Sequence, residues 1–527
     1  MKTLLVAINA KFTHTNLAVR SLQNALLAAN IAADFVEYTI NQPLHDILAD
    51  IVRREPKRLL FSCYIWNIAY VRALAEDFRL LNPQAQILLG GPEVSFDAEE
   101  LLAQMPWADA IVCGEGEALL PSVLKIPQPK GIYRTSGCVD LDLLPFPYRD
   151  LDALKNRVLY YESTRGCPFG CAYCLSSADM HVRERSLSLV FADLQRLIDA
   201  KVMKVKFVDR TFNLHAERAT AIWRYLVSHD QGFTSFQMEL GGDLTTEEQL
   251  ALLKTARTGL FQFEIGVQST NEETLKRVAR ATDMRKLSGN VAAVKQGGNI
   301  HQHLDLIAGL PSEGFESFAH SFDDVFALRP EQLQLGFLKL LRGSRLYAQS
   351  EALGLVFSPM PPYEVLQTPA LSFCELSRLK AVEEATELYY NSGRFSHEID
   401  ELAAHCKSAF QAFLSLGEEL SKRKVTQYEA YDLLYTFALA QGCTPERMAW
   451  LMRLDLCLHE RPRKIPAHCA LGASFEERKA QLNREPGLDR YTDLFPAWVV
   501  GLRGAEKKAV TFDYAKRDAW GRAKMIC

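Results

Sequence analysis

The sequence predicts an α/β chain in three parts. A doubly wound parallel-sheet domain takes residues 1–135 and an open βα barrel of six units takes 158–356, joined by a linker at 136–157. An α-helical domain takes 357–527. Three observations carry this division. Strand-like apolar runs alternate with helix-period segments, first five times and then six. Prolines gather at the two seams, Pro145 and Pro147 at the first and Pro359, Pro361 and Pro362 at the second. Past the second seam the strand-like runs give way to long amphipathic segments.

In the first part the expected strands are 4–8, 33–38, 59–63, 87–89 and 110–113, with helix-period segments such as 17–29 and 70–81 between them. The ligand site of such a sheet lies beyond the carboxyl ends of its strands. Two of those ends are rich in glycine: Gly90-Gly91-Pro92-Glu93 and Gly114-Glu115-Gly116-Glu117. Neither is a dinucleotide or Walker fingerprint, and each alone reads as a turn. In the second part the expected strands are 158–163, 205–208, 235–240, 262–267, 301–308 and 334–340. A βα barrel works at its carboxyl-terminal face. Polar residues collect there: Asp209 and Arg210, then Glu239, then Glu264, Gln268 and Ser269, then Asp305. The third part carries helical patterns at 374–390, 399–414, 426–441 and 445–458. Its basic tail, 507–524, contains Phe512, Tyr514 and Trp520, and reads as a solvated terminus packing its aromatics rather than as a nucleic-acid arm.

A chain of 527 residues with 48% hydrophobic and 24% charged residues has ample core for several domains. Its net charge of −4 supplies no basic field for nucleic acid or anionic lipid. The opening MKTLLVAINAKF is too short in its apolar run for a secretory signal. No stretch reaches the roughly 18–20 apolar residues of a membrane span, so a cytoplasmic location is expected.

The densest chemistry lies at ESTRGCPFGCAYCLS, which sets Cys167, Cys171 and Cys174 in the order CxxxCxxC. Pro168 and Gly170 suit a tight loop that turns the thiolates toward one centre. Three thiolates leave one iron of a four-iron cubane open. A zinc site completed by His181 is the other reading, although the spacing fits no common zinc module. Cys374, Cys406, Cys443, Cys457, Cys469 and Cys527 have no close ligand spacing.

With Tyr173 before its last cysteine, this motif resembles the signature of the radical S-adenosylmethionine (SAM) family. The resemblance implies a [4Fe-4S] cluster on Cys167, Cys171 and Cys174, with Tyr173 near the SAM adenine. It places Gln268 and Ser269 near the ribose and Arg280 near the carboxylate, and adds Asp209 and Glu239 as further SAM contacts. The two glycine-rich strand ends resemble the cobalamin-binding domain that precedes many radical SAM cores, which implies cobalamin contacts at Gly90, Gly91, Glu93, Gly114, Glu115 and Gly116. Domains that ligate cobalt carry Asp-x-His-x-x-Gly after the first strand. Here Phe12 and Leu17 flank His14 in those places, so His14 lacks the partner that orients a ligating imidazole.

The whole order is similar to an uncharacterised branch of cobalamin-binding radical SAM proteins with a C-terminal helical domain. That implies reductive cleavage of SAM to a 5′-deoxyadenosyl radical and methyl transfer to an unactivated carbon. Radical rearrangement or cyclisation without methyl transfer is the alternative, and a cofactor-binding sensor without turnover the alternative of another class. The implied partners are a small-molecule or peptide substrate and an electron donor such as flavodoxin or ferredoxin.

Overall fold

The computed structural model describes residues 2–135, 137–462, 466–469, 490–502, 507–518 and 520–526. Its first sheet is built from β1 (Thr3–Asn9), β2 (Asp34–Thr39), β3 (Arg58–Ser62), β4 (Gln86–Gly90), β5 (Ala110–Cys113) and β6 (Gly131–Arg134). All pairings are parallel, in the order β2-β1-β3-β4-β5-β6. Helices cover both faces and bury β1, β3 and β5 from end to end, so the centres of these strands read as apolar runs. The strand order reverses beside β1, and the loops after β1 and β3 flank the resulting crevice. β6 was not legible: its four residues are short, half-exposed and polar at the end. The segment after it is a packed strap rather than a loose linker. Leu141, Tyr148 and Leu154 are buried, and the Tyr148 hydroxyl bonds both the amide (2.8 Å) and the carbonyl (2.7 Å) of Tyr160.

The second sheet runs in strict sequence order through β7 (Val158–Tyr161), β8 (Lys204–Phe207), β9 (Ser235–Leu240), β10 (Phe261–Gln268), β11 (His301–Ala308) and β12 (Gln332–Phe337), all parallel. It is an open barrel, so β7 and β12 leave bare edges. The loop after β1 covers the first: the Val158 amide donates to the Thr13 carbonyl (2.7 Å) and the Thr15 amide to the Val158 carbonyl (3.1 Å). Asn391 covers the second, accepting from the Leu333 amide (2.9 Å) and donating to the Leu333 carbonyl (2.8 Å). Edge strands left open invite foreign pairing.

The wall of this barrel alternates. Phe261, Phe263, Ile265 and Val267 of β10 are buried, while Gln262, Glu264, Gly266 and Gln268 between them are half-buried. Glu264 meets Lys206 of β8 at 2.8 Å, Gln262 meets Lys204 at 2.9 Å, and Gln237 of β9 also bonds Glu264. These cross-strand bonds mark a polar lumen where a closed barrel has branched aliphatics.

The helices Phe373–Ala385, Ser396–His405, Ala409–Leu420, Gln427–Ala440 and Pro445–His459 form the expected third part, and their core is continuous with that of the barrel. The first and third cross so closely that a Cβ at Gly417 would strike the Ala381 carbonyl. The tail departs from an all-helical reading. β13 (Arg490–Pro496), β14 (Lys507–Arg517) and β15 (Ala523–Ile526) form an antiparallel sheet. Val510 and Phe512 turn inward with Phe495, and the Tyr514 hydroxyl donates to the carbonyls of Cys457 and Glu460. The aromatics of the tail pack as expected, on a strand whose basic ends stay exposed. Cys527 lies outside the described residues.

Asn391 holds both backbone groups of Leu333 on an edge strand. Asn391→Ala is expected to cost about 1–3 kcal/mol, read as a lower denaturant midpoint.

Candidate functional site

The cysteine loop is fastened on three sides. Thr164–Arg165 pairs with Arg183–Glu184, and Gly166, at φ +95, passes so close to the His181 carbonyl that a Cβ would collide with it. The Cys167 amide donates to the Asp179 carbonyl (2.9 Å) and the Ala172 amide to the Val278 carbonyl (2.8 Å). Cys167 and Cys171 are buried and Cys174 is half-buried, all three as free thiols. Among the described residues no three His, Cys, Asp or Glu side chains converge closely enough for a single ion. Three thiolates on one short loop are the donor set that leaves one iron of a four-iron cubane open.

Arg280 comes to this loop from the helical turn after β10. Its guanidinium donates to the Gly266 carbonyl and lies 3.4 Å from the Tyr173 hydroxyl and 3.9 Å from the Cys171 sulfur. Gln268 sits at a register shift of β10 in left-handed backbone (φ +73), and its Oε1 is buried without a partner. Asp305 on β11, which the sequence reading did not assign, sets its Oδ1 3.2 Å from Nε2 of His303. Burial, then Glu264 and Glu239, push its carboxyl up to about 7. Glu239, at the end of β9, is likewise raised by burial. Tyr173, Arg280 and the cysteines are therefore brought together, with Gln268 and Glu239 on the same barrel face.

Asp209 and Ser269 sit otherwise than the sequence reading places them. Asp209 is 1% exposed and accepts from the Ser163 amide (2.8 Å) and hydroxyl (2.5 Å). Its carboxylate, pushed to about 6 by burial, ties β8 to the end of β7. Ser269 is fully buried, donates to Glu313 (2.6 Å) and accepts from the Asn271 amide (3.0 Å). It shapes the turn instead of facing the mouth.

A cavity of about 580 Å³ separates the two sheets. Gly90, Gly91, Gly114, Glu115 and Gly116 line one wall; Tyr160, Glu162, Arg165 and Arg210 line the other. Glu93 is not among the lining residues; it bonds the Tyr363 hydroxyl. Two of the glycines answer first to the protein's own packing. A Cβ at Gly91 would collide with the Cys63 carbonyl, and one at Gly116 with Leu22. Glu115 is bound by Arg183 (2.6 Å) and Arg165 (3.3 Å), and Arg165 also meets Glu162 (2.7 Å) and Glu117 (3.0 Å), an ion-pair network that joins the domains. His14 lines the cavity too. The barrel supplies the partner missing from its loop: the Tyr160 hydroxyl lies 2.9 Å from Nδ1. Burial, then Lys11, lower the imidazole's affinity for a proton. Tyr64 and Trp66, stacked 4.3 Å apart after β3, complete the floor. Only their aromatic spacing could have signalled them.

Three families match the chain in succession: the B12 binding domain over residues 3–124, the radical SAM superfamily over 161–325, and a protein family of unknown function, DUF4080, over 351–518. The chain joins a B12 binding domain to a radical SAM domain. An uncharacterised methyltransferase of Pyrococcus horikoshii is 25% identical over 314 residues, 54% of this chain and 67% of the relative. The anaerobic magnesium-protoporphyrin IX monomethyl ester cyclase of Rubrivivax gelatinosus is 23% identical over 283 residues, 46% of this chain and 49% of the relative. The chain thus spans about half the length of that cyclase. Among solved structures, the cobalamin-dependent SAM radical enzyme OxsB with aqua-cobalamin bound superposes with a TM-score of 0.59 at 15% identity, over 86% of this chain and 79% of that one, a likeness of fold. The domain matches bear out the cofactor classes expected from the sequence. No helix among the described residues is long and apolar enough to cross a membrane.

Glu313, wholly buried behind Ser269 and Ser321, is pushed by burial from its ordinary 4.5 up to about 7. The folded protein binds this proton more tightly than the unfolded chain. The group's contribution is therefore most favourable below pH 4.5 and is lost as the pH rises to about 7. Glu313→Gln keeps an acceptor for both serines and is expected to flatten that decline, read from urea midpoints at about pH 5 and about pH 7.5.

Proposed function

We propose that the protein is a cobalamin-dependent radical SAM enzyme that transfers a methyl group to an unactivated carbon. One observation supports this reading above the others: the glycine-rich ends of β4 and β5 and the lead-in to the cysteine loop, Arg165 and Gly166, line the same cavity. In this reading Cys167, Cys171 and Cys174 hold a [4Fe-4S] cluster, which with SAM supplies a 5′-deoxyadenosyl radical. Cobalamin, held along Gly90, Gly91, Gly114, Glu115 and Gly116, supplies a methyl carrier.

The remaining residues bind and orient. Tyr173 flanks the adenine, and Arg280 sets Tyr173 against the cluster loop while presenting positive charge to the SAM carboxylate. Gln268, whose buried Oε1 lacks a protein partner, and Asp305, paired on one oxygen with His303, accept from the ribose hydroxyls, and Glu239 receives the amine. Asp305 carries this role in place of Ser269, and Asp209 serves the scaffold. The electron enters from an electron donor such as flavodoxin or ferredoxin. The substrate, a small molecule or peptide, enters between the two sheets.

A second reading is favoured by the cyclase among the relatives: the same cofactors driving ring formation without methyl transfer. The reconstituted enzyme, given its substrate, is expected to form 5′-deoxyadenosine, S-adenosylhomocysteine and methylated product. Formation of 5′-deoxyadenosine with neither of the others would favour cyclisation.

Cys171→Ala removes one thiolate from a site with none spare. Iron and sulfide content should fall, and 5′-deoxyadenosine formation should drop to background. Folding should persist, because the loop lies at the barrel mouth. Wild-type iron content with undiminished SAM cleavage would sink the cluster assignment.

A further inference from the structure

The loops assigned to the two cofactors belong to different domains. Residues 90–97 close the first sheet and 167–174 lead into the barrel helices. One turn, 341–347, leaves the end of β12 and touches both. Toward the cysteine loop, the Arg345 guanidinium donates to the Gly170 carbonyl, between Cys167 and Cys171, and the Leu346 amide donates to the Ala172 carbonyl (2.9 Å). Toward the glycine loop, Arg342 pairs with Asp97 at 3.3 Å. Gly343, at φ +87, lies against the Phe96 ring where any Cβ would collide.

Tyr363 closes the arrangement. Its hydroxyl donates to Glu93, the residue that the sequence reading gives to cobalamin, and it also bonds Arg342. Its backbone is tied to the end of β12: the Leu340 amide donates to its carbonyl (2.9 Å) and the Val365 amide to the Leu338 carbonyl (2.8 Å). Tyr363 is buried with φ +57, in the left-handed region that bulky residues rarely adopt. Such strain persists only where the surroundings enforce it, and here it sets the phenol on Glu93. Burial raises the Glu93 carboxyl while Tyr363 and Arg342 draw it back down, so the carboxylate depends on this pair. The folding of neither sheet requires these contacts, since each has its own buried core.

The geometry points to the segment 342–363 as a strut that fixes the distance between the cobalamin loop and the cluster loop. Arg342, Arg345 and Tyr363 are its positioning residues. Tyr363 lies inside the stretch that matches the family of unknown function, so that stretch supplies one jaw of the strut. The inference rests on the reading that both cofactors bind. Groups that act together on one substrate tolerate little misplacement, and about 1 Å can cost about 10²-fold in rate.

The test is the magnetic dipolar coupling between cob(II)alamin and the reduced cluster in the full-length protein loaded with both, since this coupling falls with the cube of their separation. Cobalamin, iron and sulfide are quantified first. Wild type should give one narrow distance distribution. Tyr363→Phe and Arg342→Ala should broaden it and shift its maximum at full cofactor content, and Arg342→Lys, which keeps the pair with Asp97, should restore it. Arg342 is partly exposed, so its substitution spares the core. An unchanged distribution in both variants would overturn the strut and leave the two-cofactor reading standing. Loss of cobalamin from Arg342→Ala would also overturn it, by making the arginine a binding residue. A wild type that takes up one cofactor only would overturn the two-cofactor reading and the strut with it.

Discussion

A parallel sheet of six strands that does not close has two bare edges, and the rest of this molecule is arranged around covering them. Each edge carries unpaired amides and carbonyls that water or protein must satisfy. The loop after β1 pairs with β7, and Asn391 pairs with β12. The first cover brings the cobalamin-type domain against the barrel, and the second brings the helical domain. Domain arrangement therefore follows from backbone hydrogen bonding before any catalytic requirement is considered.

Charge then fixes how the first domain sits. Glu37 on β2 takes Arg20 at 2.7 Å and Arg157 at 2.9 Å, and Arg157 also donates to the His14 carbonyl. At the cavity, Arg165 is shared among Glu115, Glu117 and Glu162. Such pairs owe their value to burial and shared partners, since an exposed pair contributes roughly 0–1 kcal/mol. These are well covered, with both sides at most 20% exposed. Breaking one would leave an uncompensated charge beside the cofactor cavity. The same residues that hold the domains together thus shape the wall of the site.

What the sequence disclosed was what depends on local order. The centres of strands β1, β3 and β5 are apolar because both faces are buried, and the cysteines lie within eight residues of one another in a single loop. Contacts made across long sequence separations left no such trace. Tyr160 reaches His14, and Tyr363 reaches Glu93, with no pattern around either tyrosine to announce it. Asp209 and Ser269 misled for the opposite reason. Each stands where a polar residue at a strand end suggests a ligand, and each is consumed by its own backbone surroundings, Asp209 by Ser163 and Ser269 by Glu313. The tail misled in its secondary structure: its aromatics pack as expected, but on an antiparallel sheet where a helical part was expected.

The polar lumen and the two covers meet in one consequence. A closed βα barrel fills its interior with branched side chains and is rigid from within. Here Lys206 and Gln237 both bond Glu264 across the strands, while Oε1 of Gln268 is left without a partner. A buried polar atom of that kind is costly until something satisfies it. A lumen of that kind cannot by itself set the barrel's width or its distance from a neighbouring domain. Rigidity must come from outside, from the strands' covers and from the turn 341–347, which bonds both the cysteine loop and the glycine loop. The site is thus stiffened at its rim rather than through its centre.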